Sequence, residues 1–458
     1  MKIISTPCGQ IQGVSCGTLG GVIAYKGIRY ATAGRWEYPV QVKSWDGVYQ
    51  ADHYGNCSYQ PRAFYDEAYA PEKAFYYKEF RKGETYTYSE DCLFLNIWAP
   101  EGTEEGDKLP VILYIHGGGF TGGCGHEKHF DGPQWAKHGV IAVTINYRLG
   151  PLGSVCLPEL KEEAGHCGNY GLYDQIAAMR WVKDNISAFG GDPENVTLMG
   201  QSAGAMSVQQ HCVSELTDGL FAKAVMSSGG GVSDMMNFSA TAESRYDFWK
   251  AVMKRTGCSS LEQFRALKPE TLFNAWQMEK RMDSRYNMVD SPCVDGALLT
   301  QSALEAANAG AQKNIPYMMG SNAQDMMPPM MYNMAFSWCK MQSDQEKQPS
   351  YCWFFERQLP GDRHGAWHSA DLWYWFGTLK NGWRPFVQKD FELSEQMICY
   401  LTNFAKTGNP NGENLPQWQP VSAANDRALR FCDGETAMYK PSKLKLYYSM
   451  LHNKPVGE

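Results

Sequence analysis

The sequence predicts an α/β fold: a mostly parallel central sheet with flanking helices and a helical cap. Three observations predict it. Apolar runs such as LPVILYIHGGGF (109–120) and GVIAVTINYRLG (139–150) are continuous rather than alternating, as in strands buried on both faces. Between such runs lie helical patterns, as in YGLYDQIAAMRWVKDNISAFG (170–190), closed by Gly190 and Gly191. Strand and helix then alternate along the chain, the order of a sheet covered by helices.

The elements follow in order. Residues 1–50 hold short strands with turns, GQIQGV (9–14) and GVIAYKGIRYA (21–31). Residues 51–89 are Tyr-rich without a period and are expected to be a surface excursion. After the strands at 109–120 and 139–150 and the helix at 170–190 comes VTLMGQSAGAMSV (196–208), a β-type run turning into a helix. FAKAVMSSGG (221–230) is a further strand. Residues 232–310 change to amphipathic helices with Met and Trp and are expected to form a cap inserted over the sheet. IPYMMGSN (315–322) and SYCWFFERQL (350–359) return to strand. DFELSEQMICYLTNFAKTGNPNG (390–412) is a long helix stopped by Gly408 and Pro410. No internal repeat or low-complexity linker interrupts the pattern, so 1–458 is expected to be one domain with insertions.

Composition narrows the function. The chain is 43% hydrophobic and 20% charged, ample for a large core. A formal net charge of −7 argues against nucleic acid. No apolar run reaches the ~18 residues of a membrane span, so no membrane insertion is expected. MKIISTPCGQIQGV (1–14) has no apolar segment of the secretory type, and the 14 cysteines are scattered without a CxxC pair. Packed thiols in a cytoplasm are expected. The sequons at Asn56 and Asn195 then carry no glycan.

Gly200-Gln201-Ser202-Ala203-Gly204 matches GxSxG, with the strand before and the helix after that this nucleophile turn requires. A plain glycine-rich turn whose serine caps a helix is the other reading of those five residues. A serine hydroxyl needs a base, and the oxyanion it creates needs donors. HGGGF (116–120) follows a strand, and the N–H groups of Gly118 and Gly119 are candidates, joined by that of Ala203 directly after the serine.

FGGDPENVTLMGQSAG (189–204) closely resembles the active-serine signature of type-B carboxylesterases, the cholinesterase-like and para-nitrobenzyl esterase-like branch of the α/β-hydrolases. EDCLFLNIW (90–98) resembles that family's second signature, and NYRLGPLGS (146–154), GNYGLYDQ (168–175), AVMSSGG (224–230) and NFAKTGNPNG (403–412) are similar to other family segments. The resemblance implies a Ser–acid–His order. The acid falls at Asp325, in Asn322-Ala-Gln-Asp325-Met326, where the family carries N-x-x-E-G. Asp is shorter than Glu by about 1.5 Å of reach, so the backbone must approach the histidine more closely or another acid must serve. AWHSADL (366–372) fits the histidine segment and gives His368. The resemblance further implies that Asp371 is structural, with a chance of replacing Asp325, and that Ser228 sits behind the nucleophile; Arg148 and Asp174 are expected to form a buried ion pair tying core segments together. His116 is expected to brace the glycine loop. Secreted relatives place a disulfide at Cys57 and Cys92; here two thiols are expected.

The departures bear on substrate. The 43 positions from Asp325 to His368 leave no room for the family's longer lid insertion. The Met-rich stretch at 326–345 is expected to act as a short lid, with Met326, Met327, Phe120 and Gln201 touching substrate; ordinary core packing is the alternative. Gln201 stands where cholinesterases carry an acid, which weakens a quaternary ammonium substrate. The expected function is hydrolysis of small to medium, apolar or aromatic carboxylic esters through an acyl-enzyme by Ser202, His368 and Asp325, without cofactor or metal, in a monomer or homodimer. A non-catalytic binding module on the same fold, and a metal-assisted hydrolase using His364 and His368, are the rivals.

Overall fold

The continuous apolar runs form the middle of one sheet. The computed structural model describes residues 2–16, 20–233 and 237–452. Its main strands are β1 (Lys2–Thr6), β2 (Gly9–Ser15), β3 (Val22–Arg29), β4 (Phe94–Pro100), β5 (Leu109–Ile115), β6 (Ile141–Ile145), β7 (Gly191–Gln201), β8 (Lys223–Ser227), β9 (Tyr317–Asn322), β10 (Ser350–Phe355), β11 (Ala428–Phe431) and β12 (Ala437–Tyr439). They lie in the order β1-β2-β3-β4-β6-β5-β7-β8-β9-β10-β11-β12, a single exchange from chain order. From β6 to β11 every neighbouring pair is parallel, and the pairs at both ends are antiparallel. Every residue of β6, β8, β9 and β10 is buried, which is why these runs show no alternation.

Helices complete the layers: α1 (Tyr170–Asn185), α2 (Ala203–Val213), α3 (Tyr246–Arg255), α4 (Pro269–Met282), α5 (Pro328–Asp344) and α6 (Gln388–Thr407). The stop expected for the last is present: Gly408 takes φ +80° and its N–H closes onto the Phe404 carbonyl. The stretch read as a cap carries α3 and α4, with residues 234–236 outside the described ones. These helices have an apolar centre of their own, where Phe248, Trp249, Phe273 and Trp276 pack with Leu152, Val155 and Leu157.

Two expectations need correcting. The excursion at 51–89 is not merely superficial: Cys57, Ser58, Glu79 and Phe80 are buried, and Glu79 pairs with the buried Arg384. The stretch 326–345, expected as a short lid, is largely a packed helix, and its Met327, Met330 and Met334 also line an open cavity of about 370 Å³. The helix is α5, whose Met331, Met334, Ala335, Trp338 and Cys339 are buried and which packs on β9 and β10. Met and aromatic residues at helical spacing fill the sheet's flank here, the core reading of that pattern.

Register fixes where chemistry can occur. Ile115 pairs with both Ile145 and Gly200, Gln201 with Ser227, and Ser227 with Gly320. The carboxyl ends of β5, β7, β8 and β9 are therefore neighbours, and the segments leaving them share one rim, the place where open α/β sheets bind ligands.

Candidate active site

Ser202 is the single residue between β7 and α2, with φ 54° and ψ −125°. A side chain in so sparse a region costs about 1–3 kcal/mol and persists only where its surroundings impose it. They do so here. The Ser202 N–H donates to the Ser227 carbonyl at 2.9 Å, and its own carbonyl accepts from the Met206 N–H at 2.9 Å. A Cβ on Gly204 would lie 2.0 Å from the Ile115 carbonyl oxygen, and one on Gly200 2.3 Å from the Gly204 backbone. Only glycine at both places lets α2 rise directly off the strand and present the serine at its start.

His368 Nε2 lies 2.9 Å from Ser202 Oγ, and His368 Nδ1 lies 2.5 Å from Asp325 Oδ1. Asp325 is fully buried. Its Oδ2 accepts from Ser228 Oγ at 2.6 Å and from the Asn322 N–H at 3.1 Å, and its Oδ1 also accepts from the Met326 N–H at 2.9 Å. Burial pushes this carboxyl up, but the imidazole beside it and these donors hold it below the usual carboxylate range. The shorter reach of Asp is met by the backbone. The Gln324 N–H donates to the Ala366 carbonyl at 3.0 Å, Gln324 Oε1 accepts from the Ala366 N–H at 2.7 Å, and Asn322 Nδ2 donates to the Trp367 carbonyl at 2.7 Å. These bonds draw the segment carrying the acid onto the segment carrying the histidine. Asn322 and Gln324 were not singled out from the sequence, because amides in a turn carry no signature of which loop they will clasp.

The glycine loop lies against the serine. A Cβ on Gly117 would approach Ser202 Cβ to 3.0 Å. Gly118 takes φ +115°, and a Cβ there would meet the Gly122 carbonyl oxygen at 2.1 Å; at Gly119 the only neighbour within 4 Å would be Thr121 Oγ1, at 3.9 Å. Among the described residues, the N–H groups of Gly118, Gly119 and Ala203 donate no hydrogen bond, and both glycines are exposed. His116 braces the loop as expected: its Nδ1 lies 2.8 Å from the Gly117 carbonyl, its ring stacks on Tyr147, and burial pushes its pKa down, so the ring is neutral. Tyr147 Oη donates to the His116 carbonyl at 2.8 Å. From the excursion, the Gln60 side chain pairs with both the N–H and the carbonyl of Gly123, at 2.9 and 3.0 Å.

The other expected residues divide. Gln201 is buried with Nε2 3.2 Å from His368 Nε2, so it faces the imidazole rather than a substrate pocket. Phe120 is partly exposed at the end of the loop. Met326 and Met327 are 67% and 37% exposed, and Met327 lines an open cavity of about 370 Å³ with Val232, Met330 and Met334. Asp371 accepts from Ser227, Asn322 and Trp375 and does not bond the imidazole. His364 packs edge-on against Phe75 and joins no cluster of metal-ligating groups among the described residues. Arg148 and Asp174 form the bidentate buried pair, at 2.7 and 2.8 Å. Cys57 and Cys92 are both free thiols, and Cys57 faces His126 rather than Cys92. No helix among the described residues is long and apolar enough to cross a membrane.

The sequence profile of the carboxylesterase family matches residues 1–348 and 323–447. The para-nitrobenzyl esterase of Bacillus subtilis is 34% identical over 331 residues, 71% of this chain and 63% of that protein. The bile salt-activated lipase of Mus musculus is 29% identical over 527 aligned positions, 93% of this chain and 82% of that protein. A solved structure of PNB esterase superposes with a TM-score of 0.83 over 98% of this chain and 99% of its own, at 26% identity. With a family profile spanning nearly its whole length, relatives that are esterases and a lipase, and the matching sheet, the chain belongs to the carboxylesterase family, enzymes of the ester-hydrolase class with the α/β-hydrolase fold.

Proposed function

We propose that the chain hydrolyses small to medium, apolar or aromatic carboxylic esters through an acyl-enzyme on Ser202. Ser202 Oγ attacks the ester carbonyl while its proton passes to His368 Nε2. Asp325 holds the Nδ1–H tautomer and stabilises the imidazolium. The oxyanion takes the N–H groups of Gly118, Gly119 and Ala203. His368 then protonates the departing alkoxide, and in the second step deprotonates the water that attacks the acyl-serine. The observation that carries this reading is the unbroken line Asp325–His368–Ser202 beside N–H groups without partners. No metal or cofactor enters these steps.

The open rim at Gly118 and Gly119 suits a permissive acyl pocket. The fourteen free cysteines support a reducing cytoplasm as its place of work. The test is turnover of p-nitrophenyl esters from acetate to octanoate by the unmodified chain and by Ser202→Ala. Turnover falling by about 10⁶ in the variant supports the assignment. Turnover that survives it, or no turnover on any member, contradicts it.

A further inference from the structure

Outside the catalytic line, two clusters among the described residues bring metal-ligating side chains together, and the more buried of them is Cys57, Cys124 and His126. Cys57 begins a short strand (Cys57–Ser58) that pairs with Tyr88–Ser89, and Cys124 and His126 follow the glycine loop. The two Sγ atoms and a ring nitrogen of His126 all lie within 4.8 Å of one another, and Cys57 Sγ is 3.5 Å from His126 Nε2. Zinc bonds of about 2.3 Å to sulfur and about 2.0 Å to nitrogen in a tetrahedron give a sulfur–nitrogen edge of about 3.5 Å and a sulfur–sulfur edge of about 3.8 Å. Both cysteines are buried. The Tyr54 ring stacks on the His126 ring at 4.7 Å, and the Tyr86 ring lies 5.7 Å from it. The Tyr86 hydroxyl is buried without a hydrogen-bond partner among the described residues, as is His126 Nδ1.

We propose that Cys57, Cys124 and His126 bind a zinc ion, with the Tyr86 hydroxyl or a water as fourth ligand. Two thiolates and an imidazole select this soft, tetrahedral cation over magnesium or calcium. Loading is Zn²⁺ plus two thiols giving a zinc dithiolate and two released protons, with no change of oxidation state. Glu127 is paired with Arg62 at 2.7 Å, so that neighbouring carboxylate is already neutralised and the filled site carries no net charge. The site would clip the excursion to the residues just past the glycine loop, beside the Gln60–Gly123 pairing. Its role is structural, and the proposed ester chemistry does not use the metal.

The test uses the full chain without a histidine tag, equilibrated with zinc and then passed through a desalting column. About one zinc per chain should remain, Tm should rise by about 2–5 °C on loading, and Cys57→Ser/Cys124→Ser should retain almost none. Cobalt titration of the unmodified chain needs no variant and should develop a thiolate-to-cobalt charge-transfer band. No retained zinc and no cobalt band, equal zinc in a folded double variant, or a Cys57–Cys124 disulfide in the freshly purified chain would each overturn the proposal.

Discussion

Replacing Asp325 with asparagine keeps shape and removes charge, and the hydrogen bonds on the carboxylate make the consequence calculable. Oδ1 faces His368 Nδ1 and the Met326 N–H; Oδ2 faces Ser228 Oγ and the Asn322 N–H. Each side contains a fixed backbone donor. With the amide oxygen toward His368, its NH₂ points at the Asn322 N–H. With the NH₂ toward His368, it opposes the Met326 N–H, and Nδ1 must become the acceptor. The proton then sits on Nε2, 2.9 Å from Ser202 Oγ, where the base is needed. The wrong tautomer costs about 10⁴ in turnover in triads of this kind, equal to ~5.4 kcal/mol at about 1.36 kcal/mol per decade. The stranded donor costs folding about 1–3 kcal/mol. Steady-state kinetics on a p-nitrophenyl ester should show kcat lowered about 10⁴-fold with KM nearly unchanged. Asp371→Asn, one layer behind, should stay within roughly tenfold, because its partners are Ser227, Asn322 and Trp375 rather than the imidazole. If Asp325→Asn kept more than a tenth of kcat, or Asp371→Asn proved equally disabling, the assignment of the acid would be refuted.

Three further expectations follow from the same geometry. Gly118→Ala should lower kcat by about 10²–10³ without a comparable change in KM, whereas Gly119→Ala, with open space around its Cβ but a φ of +61° that strains any side chain, should lose less; parallel kinetics on the two folded variants decide it. Asp174→Asn leaves the buried Arg148 guanidinium without its counter-charge and should cost about 3–5 kcal/mol, read from the urea midpoint. Burial raises the pKa of Glu127, but the Arg62 and Arg81 guanidiniums outweigh it and hold the carboxyl below its usual range, as the imidazole does for Asp325. Stability from both is complete above the ordinary carboxylate pKa of about 4 and is lost as pH falls through the lowered folded values. Tm should therefore drop steeply below pH ~4, and less steeply in Glu127→Gln.

The central strands were legible because burial on both faces leaves an unbroken apolar run, as in β5 and β6. The serine turn was legible because its pattern is local in sequence, although the contact that demands glycine at 204 comes from the distant Ile115 carbonyl. The acid and histidine were reached only through resemblance, since a 43-residue separation leaves no local pattern. What stayed hidden was the clasp between their two loops, made by the ordinary amides Asn322 and Gln324. The Met-rich stretch misled for a different reason. Methionine serves both permissive pockets and irregular cores, and this stretch does both, packing on β9 and β10 while Met327, Met330 and Met334 line an open cavity. Gln201 misled likewise, because the residue before a nucleophile can face substrate or base, and the turn at Ser202 sends it toward His368.

The most direct test of the central claim is a pre-steady-state burst with a p-nitrophenyl ester, quenched and read by peptide mass spectrometry. The account predicts a burst approaching the concentration of active chains, an acyl group on Ser202 alone, and neither in Ser202→Ala. Turnover without a burst and without an acyl adduct, or an adduct on any other residue, would contradict it.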